Sequence, residues 1–247
     1  MLFSGVDTAN RVGLWTTDGT TAGTFEIPVS GAYVTGAHPR EFAVLKGTAL
    51  FAGDDNQPVG SASGHFGMLF AYNGQVATEI TGIANAFSGG LNVSDLTVFN
   101  NEVLFNAFDA AGTRGLWVTD GTAAGTHEIP VNNAAPAGLN PSDLTVIAPH
   151  EVLFNGVNAA GIRGLWETDG TTAGTHELLI AGANLSGLTP SDITLIGGQQ
   201  GKADVQGKNV ALFGQYLAAS FPTPNHAASV VVGEVSDTPH LLSVPRA

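Results

Sequence analysis

Two loop signatures recur along the chain and carry side chains suited to hydrogen-bonding chemistry. The first places a carboxylate or amide before an arginine, in Asp109-Ala-Ala-Gly-Thr-Arg114 and Asn158-Ala-Ala-Gly-Ile-Arg163, with Asp7-Thr-Ala-Asn-Arg11 a residue shorter. The second ends in Ser-Asp, in Leu91-Asn92-Val93-Ser94-Asp95, Leu139-Asn140-Pro141-Ser142-Asp143 and Leu188-Thr189-Pro190-Ser191-Asp192. Amide, carboxylate and guanidinium groups at fixed spacing suit the bidentate recognition of vicinal hydroxyls, and an indole ring suits the apolar face of a sugar. The candidate sugar-binding residues are therefore Asp109, Arg114, Asn158, Arg163, Asn92, Asp95, Asn140, Asp143, Asp192, Trp117 and Trp166. A structural reading stands beside this one. Pro-Ser-Asp makes a turn, Asp109 and Arg114 close a loop as an ion pair, and a recurrent tryptophan packs between repeats.

A third signature, Asp-Gly-Thr-x-x-Gly-Thr, follows Trp15, Trp117 and Trp166. Its aspartates, Asp18, Asp120 and Asp169, read as turn formers that accept hydrogen bonds from the next residues. One carboxylate per turn does not make a calcium site, which needs six or more oxygens. His127 and His176 each precede a glutamate, but Phe25 takes the same place in the first copy, so they read as solvated residues of an outer strand. No Gly-x-Ser-x-Gly, His-Glu-x-x-His or phosphate-cradling loop is present, and neither catalysis, a cofactor nor a metal is expected.

The elements that must position these loops come from self-similarity. Asp120 and Asp169 are 49 residues apart and Asp18 and Asp120 are 102 apart, leaving room for a degenerate copy at Leu69 to Gly74. A fifth, eroded copy contains Val210 to Phe213 and Ser229 to Glu234. A fixed period of tens of residues means stacked supersecondary units. The expected repeats are 1–36, 37–89, 90–137, 138–186 and 187–247 of one domain.

Each copy holds four short apolar runs divided by turn residues, which indicates strands A to D. In the third copy these are Leu96–Phe99, Glu102–Ala107, Gly115–Thr119 and Thr126–Ile129. Four-stranded repeats about an axis give an all-β, five-bladed β-propeller, with an open solenoid or a β-prism-like assembly as alternatives. The first copy starts at strand B, so either it has three strands or Leu241 to Val244 completes it. Longer B–C loops are expected at Asp54–Gly64 and Tyr216–His226, the latter exposing Phe221, with His65 and His226 at their ends. Insertions of this kind are where repeat proteins place specificity.

On Leu-Trp-x-x-Asp-Gly-Thr-x-x-Gly-Thr the chain resembles bacterial repeat proteins built on Glu-Leu-Trp-x-x-Asp-Gly-Thr, although Gly13, Gly115 and Gly164 stand where those have glutamate. That resemblance implies a propeller-like fold and an extracellular or cell-surface location. By architecture alone the chain is similar to tachylectin-like five-bladed lectins, which implies one weak sugar site per repeat and multivalent avidity. Composition limits the partners. The 247 residues are 43% hydrophobic, 12% charged and free of cysteine, with a net charge of -13 and only eight basic residues. Such a chain folds and repels nucleic acid, and nothing in it inserts into a membrane. The N-terminus lacks the pattern of a signal peptide. The expectation is a carbohydrate-binding protein for glycans or glycoconjugates, with a structural or protein-interaction propeller of the adhesin type as the alternative.

Overall fold

The computed structural model describes residues 1–56 and 66–195 and, beyond them, the backbone of four strands. Alternating apolar runs and glycine-rich turns produce strands, and the described residues contain no helix. The first sheet holds β1 (Leu2–Val6), β2 (Val12–Thr16) and β3 (Phe25–Ile27). The second holds β4 (Arg40–Leu45), β5 (Thr48–Gly53), β6 (Met68–Tyr72) and β7 (Ala77–Glu79). The third holds β8 (Ser94–Phe99), β9 (Glu102–Phe108), β10 (Arg114–Thr119) and β11 (His127–Glu128). The fourth holds β12 (Ser142–Ala148), β13 (Glu151–Val157), β14 (Arg163–Thr168) and β15 (His176–Glu177). The fifth is a backbone meander of β16 (Ile193–Leu195), β17 (Ala203–Val205), β18 (Val210–Phe213), β19 (Tyr216–Thr223) and β20 (His226–Glu234).

Every sheet is antiparallel with strands in chain order, so the protein is all-β and each repeat is one meander. The chain packs as two compact units, Met1–Pro130 with three sheets and Val131–Ala247 with two. The first sheet has three strands, and Leu241 to Val244 lies outside the described residues. One expectation fails: Tyr216–His226 is not a loop, since β19 pairs with β20 from Leu217↔Val232 to Thr223↔His226. The tip of Asp54–Gly64 lies outside the described residues, as does His65, whereas Asp54 and Asp55 are buried.

Core residues repeat as the strands do. Leu14, Leu69, Leu116 and Leu165 are wholly buried, and the next residue packs its ring on strand B in the pairs Phe3–Trp15, Phe51–Phe70, Phe105–Trp117 and Phe154–Trp166. Ring centroids lie 5.4 to 6.4 Å apart. Offset aromatic pairs at this distance add to the burial of the apolar surface itself.

The turn from strand C to strand D is built identically three times. Asp120 Oδ1 accepts from the Thr122 amide at 2.9 Å and its hydroxyl at 2.7 Å, while Thr119 and Thr126 share a hydrogen bond at 2.7 Å. Asp18 and Asp169 repeat these contacts. Gly121 takes φ 92°, a left-handed angle that a side chain would strain. The Thr122 hydrogen bonds hold the Asp120 carboxyl below its ordinary range.

Candidate functional site

The loop after strand B is organised by its first residue. Asp109 Oδ1 accepts from the amides of Ala111 and Thr113 at 2.9 and 2.8 Å, and Oδ2 accepts from the Thr113 hydroxyl at 2.7 Å. Burial pushes the Asp109 carboxyl up, but the hydrogen bonds from Thr113, Ala111 and Gly112 outweigh it and hold it low. Asn158 Oδ1 accepts in the same way from Ala160 and Ile162, both at 3.1 Å, and Asp7 from Ala9 and Arg11, both at 2.8 Å. These residues form the loop by folding their own backbone round a side-chain acceptor.

The arginines serve the same scaffold. Arg114 does not pair with Asp109. It donates to Asn106 Oδ1 at 3.2 Å and to the Asn92 carbonyl at 3.3 Å, and its guanidinium lies 4.2 Å from the centre of the Phe108 ring. Arg163 repeats the bonds with Asn155 and the Asn140 carbonyl at 3.1 and 3.5 Å. The Asp7–Arg11 ion pair at 2.7 Å exists only in the shorter first loop.

The segment that enters strand A has a conformational reason for its polar residues. His38, Asn92, Asn140 and Thr189 take φ of 42 to 48°, and Glu41, Asp95, Asp143 and Asp192 take φ of 51 to 58°. Left-handed backbone favours asparagine and aspartate, and the strand register shifts beside the first three pairs, between Arg40 and Ala43, Ser94 and Thr97, and Ser142 and Thr145. Asn92 with Asp95 and Asn140 with Asp143 therefore flank a bulge, and Asp192 takes the same left-handed backbone. Trp117 and Trp166 are fully buried, so neither ring can stack on a sugar. Of the expected set, Asn158 lines one groove of about 510 Å³ with Trp166 and another of about 340 Å³ with Arg163.

Sequence reasoning missed the glutamate that closes each repeat. Glu26, Glu79, Glu128 and Glu177 lie in strand D, paired with Trp15, Phe70, Trp117 and Trp166. A Cβ at Gly13, Gly115 or Gly164 would collide with the carboxylate of Glu26, Glu128 or Glu177. The acid absent from strand C thus arrives from strand D and lies over the glycine. In the second repeat Met68 replaces that glycine. The signal was legible as a glycine two residues before the aromatic, recurring with a glutamate in the next strand.

Glu177, Glu128 and Glu79 each lie near the residue that opens the loop after strand B, whereas Glu26 lies near Arg11. Asn158 Nδ2 donates to both oxygens of Glu177, at 3.2 and 3.0 Å. Asp109 acts on Glu128 only through its charge, and burial first, then this charge, raises the Glu128 carboxyl. Glu79 is pushed up to about 7 by burial, by a hydrogen bond with Asp55 and by the charge of Asp55. In the first unit Glu26 borders a groove of about 540 Å³ with Arg11, Val29, Ala32, Tyr33 and Val34. In the second unit Glu177 borders a groove of about 340 Å³ at the equivalent place, with Arg163, Ile180, Leu185 and Leu188. The exposed lining of the second groove is largely apolar, Leu179 and Leu185 being 90% and 94% exposed, whereas that of the first combines Val34 with Arg11, Glu26 and Asn56. Among the described residues no group of three or more acids and histidines could hold a metal ion, and there is no helix long and apolar enough to cross a membrane.

No family model and no curated protein matches the chain. Solved structures do. One is a puromycin hydrolase serine-to-alanine mutant complexed with PGG, with a TM-score of 0.53 and 14% identity over 97% of this chain and 44% of that one. Another is a puromycin-hydrolysing peptidase of Mycobacterium tuberculosis, with a TM-score of 0.51 and 9% identity over 99% of this chain and 44% of that one. The chain thus shares a fold with rather less than half the length of these peptidases. This finding overturns the expectation of a lectin, because the structures it resembles are peptidases and the tryptophans assigned to sugar stacking are sealed in the core. Identity of this order shows the fold alone and carries no activity with it.

Proposed function

We propose that the chain is a β-propeller-type interaction module, five blades built on the Asp-Gly-Thr repeat, that binds a protein partner and does no chemistry itself. The chain-order meander in every sheet supports this reading. The observation that carries it is the division of labour among side chains. Asp109, Asn158, Arg114 and Arg163 bond within their own repeat, while Val34, Leu179 and Leu185 lie exposed along the grooves. Exposed apolar groups rimmed by polar ones suit a protein surface, and a net charge of -13 favours a basic one. An extracellular or cell-surface setting belongs to the same proposal.

Affinity capture with the folded chain and with a Leu179→Asp/Leu185→Asp double variant tests it. A saturable basic partner retained by the wild type and lost by the folded variant is the expected result. A partner indifferent to the substitutions contradicts it. The fold likeness favours a second reading, in which the chain belongs to a hydrolase as its counterparts do. Turnover of puromycin by the purified chain would establish that reading and overturn the first.

A further inference from the structure

The chain contains two Asn-Gly dipeptides, Asn73-Gly74 and Asn155-Gly156, and the fold treats them oppositely. Asparagine is a thermolabile residue, and a following glycine leaves the next backbone amide unshielded by a side chain. Asn155 lies in β13, paired with Leu165, and is 7% exposed. Its Nδ2 donates to the Pro190 carbonyl at 2.6 Å, and its Oδ1 accepts from Arg163 at 3.1 Å. Gly156 pairs with Gly164 in the same ladder. The Asn155 amide cannot swing towards the Gly156 nitrogen without breaking these buried bonds.

Asn73 and Gly74 instead stand exposed in the turn between β6 and β7, just past the Tyr72↔Ala77 pair, with Gly74 at φ 104°. The Asp-Gly turns at the same place in the other repeats show what restrains such a turn. There the glycine amide donates to a threonine hydroxyl at 3.0 Å, Gly19 to Thr17, Gly121 to Thr119 and Gly170 to Thr168. Hydrogen bonds from Thr20, Thr122 and Thr171 hold the aspartates and keep their carboxyls below the ordinary range, and an ionised carboxylate is a poor electrophile. In the second repeat Tyr72 and Gln75 stand in place of both threonines. Among the described residues neither the Asn73 side chain nor the Gly74 amide has a hydrogen-bond partner.

We propose that Asn73-Gly74 is a site of spontaneous deamidation, at which the Gly74 backbone converts the Asn73 amide to an acid. The Gly74 nitrogen attacks Asn73 Cγ, the Cγ–Nδ2 bond breaks, and ammonia leaves with the Gly74 amide proton. The cyclic imide so formed takes up one water. Opening at Cγ leaves an aspartate in place of Asn73, and opening at the main-chain carbonyl leaves an isoaspartate, whose backbone runs through the former side chain. The first product gives the second repeat the Asp-Gly of the others without the threonine that holds it there. The second lengthens the turn by a methylene group beside Ala77, whose carbonyl accepts from the Ser30 amide at 2.9 Å and whose amide donates to the Pro28 carbonyl at 3.1 Å. Pro28 and Val29 line the groove in the first unit, so isoaspartate in this turn loosens that wall.

Incubation of the full chain at pH 8, with digestion and mass mapping of timed samples, reads the site. Conversion at Asn73 should run about tenfold or more faster than at Asn155, since the buried pair reacts only after local opening. In denaturant the two rates should agree within about threefold. Asn73→Gln, whose longer side chain would have to close a larger ring, should remove the early product and keep the fold. In the aged, isoaspartate-containing chain the Ser30 and Ala77 amides should exchange hydrogen about threefold faster or more. Equal rates at the two pairs in the folded chain overturn the proposal, and so does a difference that persists undiminished in denaturant. Unchanged exchange at Ser30 and Ala77 contradicts the loosening of the wall.

Discussion

The second and fourth repeats use one backbone plan with different chemistry at its closing point. In the fourth, Gly164 opens a space that Glu177 fills, and the amide of Asn158 satisfies the carboxylate. In the second, Met68 stands in the glycine's place, and Glu79 meets the acid Asp55 instead. The comparison separates what the fold requires from what each repeat adds. The aromatic of strand C, the leucine before it and the bulge that enters strand A are common to both. The partner of the closing glutamate is not, being the Asn158 amide in one sheet and an acid in the other.

Substitutions can break or sharpen this contrast, and they rank by size. Removing the shared aromatic should cost most and about equally in both repeats: Trp166→Ala and Phe70→Ala each lose about 3–5 kcal/mol in denaturant unfolding, from burial and the cavity left behind. Gly164→Met, which gives the fourth repeat the second repeat's residue, should cost about 1–3 kcal/mol, because the new side chain displaces the Glu177 carboxylate. Asp120→Ala should cost about 1 kcal/mol, as loss of a local side-chain cap usually does. Since the folded state lowers that carboxyl, its contribution is present above pH 3.8 and disappears as the medium turns more acid, the reverse of the Glu79 trend. His176→Ala should change stability by less than about 0.5 kcal/mol, because the ring is exposed and its approach to Glu167 at 3.7 Å is a surface contact. A large effect there would mean that the outer strand does more than close the sheet.

The strands were legible because alternation and turn chemistry are local. Leu96–Phe99 and Glu102–Ala107 lie within β8 and β9, and Val210–Phe213 coincides with β18. The stretch Tyr216–His226 misled because it reads as the link between Val210–Phe213 and Ser229–Glu234, whereas it forms β19 and pairs with β20 in a hairpin. At the candidate site the residue types were visible but their orientation was not. Asn92 with Asp95 and Asn140 with Asp143 look like ligands in a sequence, yet their spacing is that of two left-handed residues flanking a bulge. Arg114 could be seen to close a loop, but its partner Asn106 lies on the neighbouring strand and no local pattern marks it. The role of the strand D glutamates was not legible because each sits in a strand of two or three residues, too short for alternation to show which face it occupies.

The account rests on the residues that open the loop after strand B, such as Asp109 and Asn158, acting within their own repeat. Asn158→Asp tests this most directly, since it gives the fourth repeat the acid pair of the second while leaving the backbone acceptor of the loop in place. Unfolding measured from pH 4.5 to pH 8 should show a loss relative to the wild type that grows with pH, from under about 1 kcal/mol to about 1–3 kcal/mol, as two carboxylates face each other without a donor. A loss of the same size at both ends of the range, or none, would contradict it.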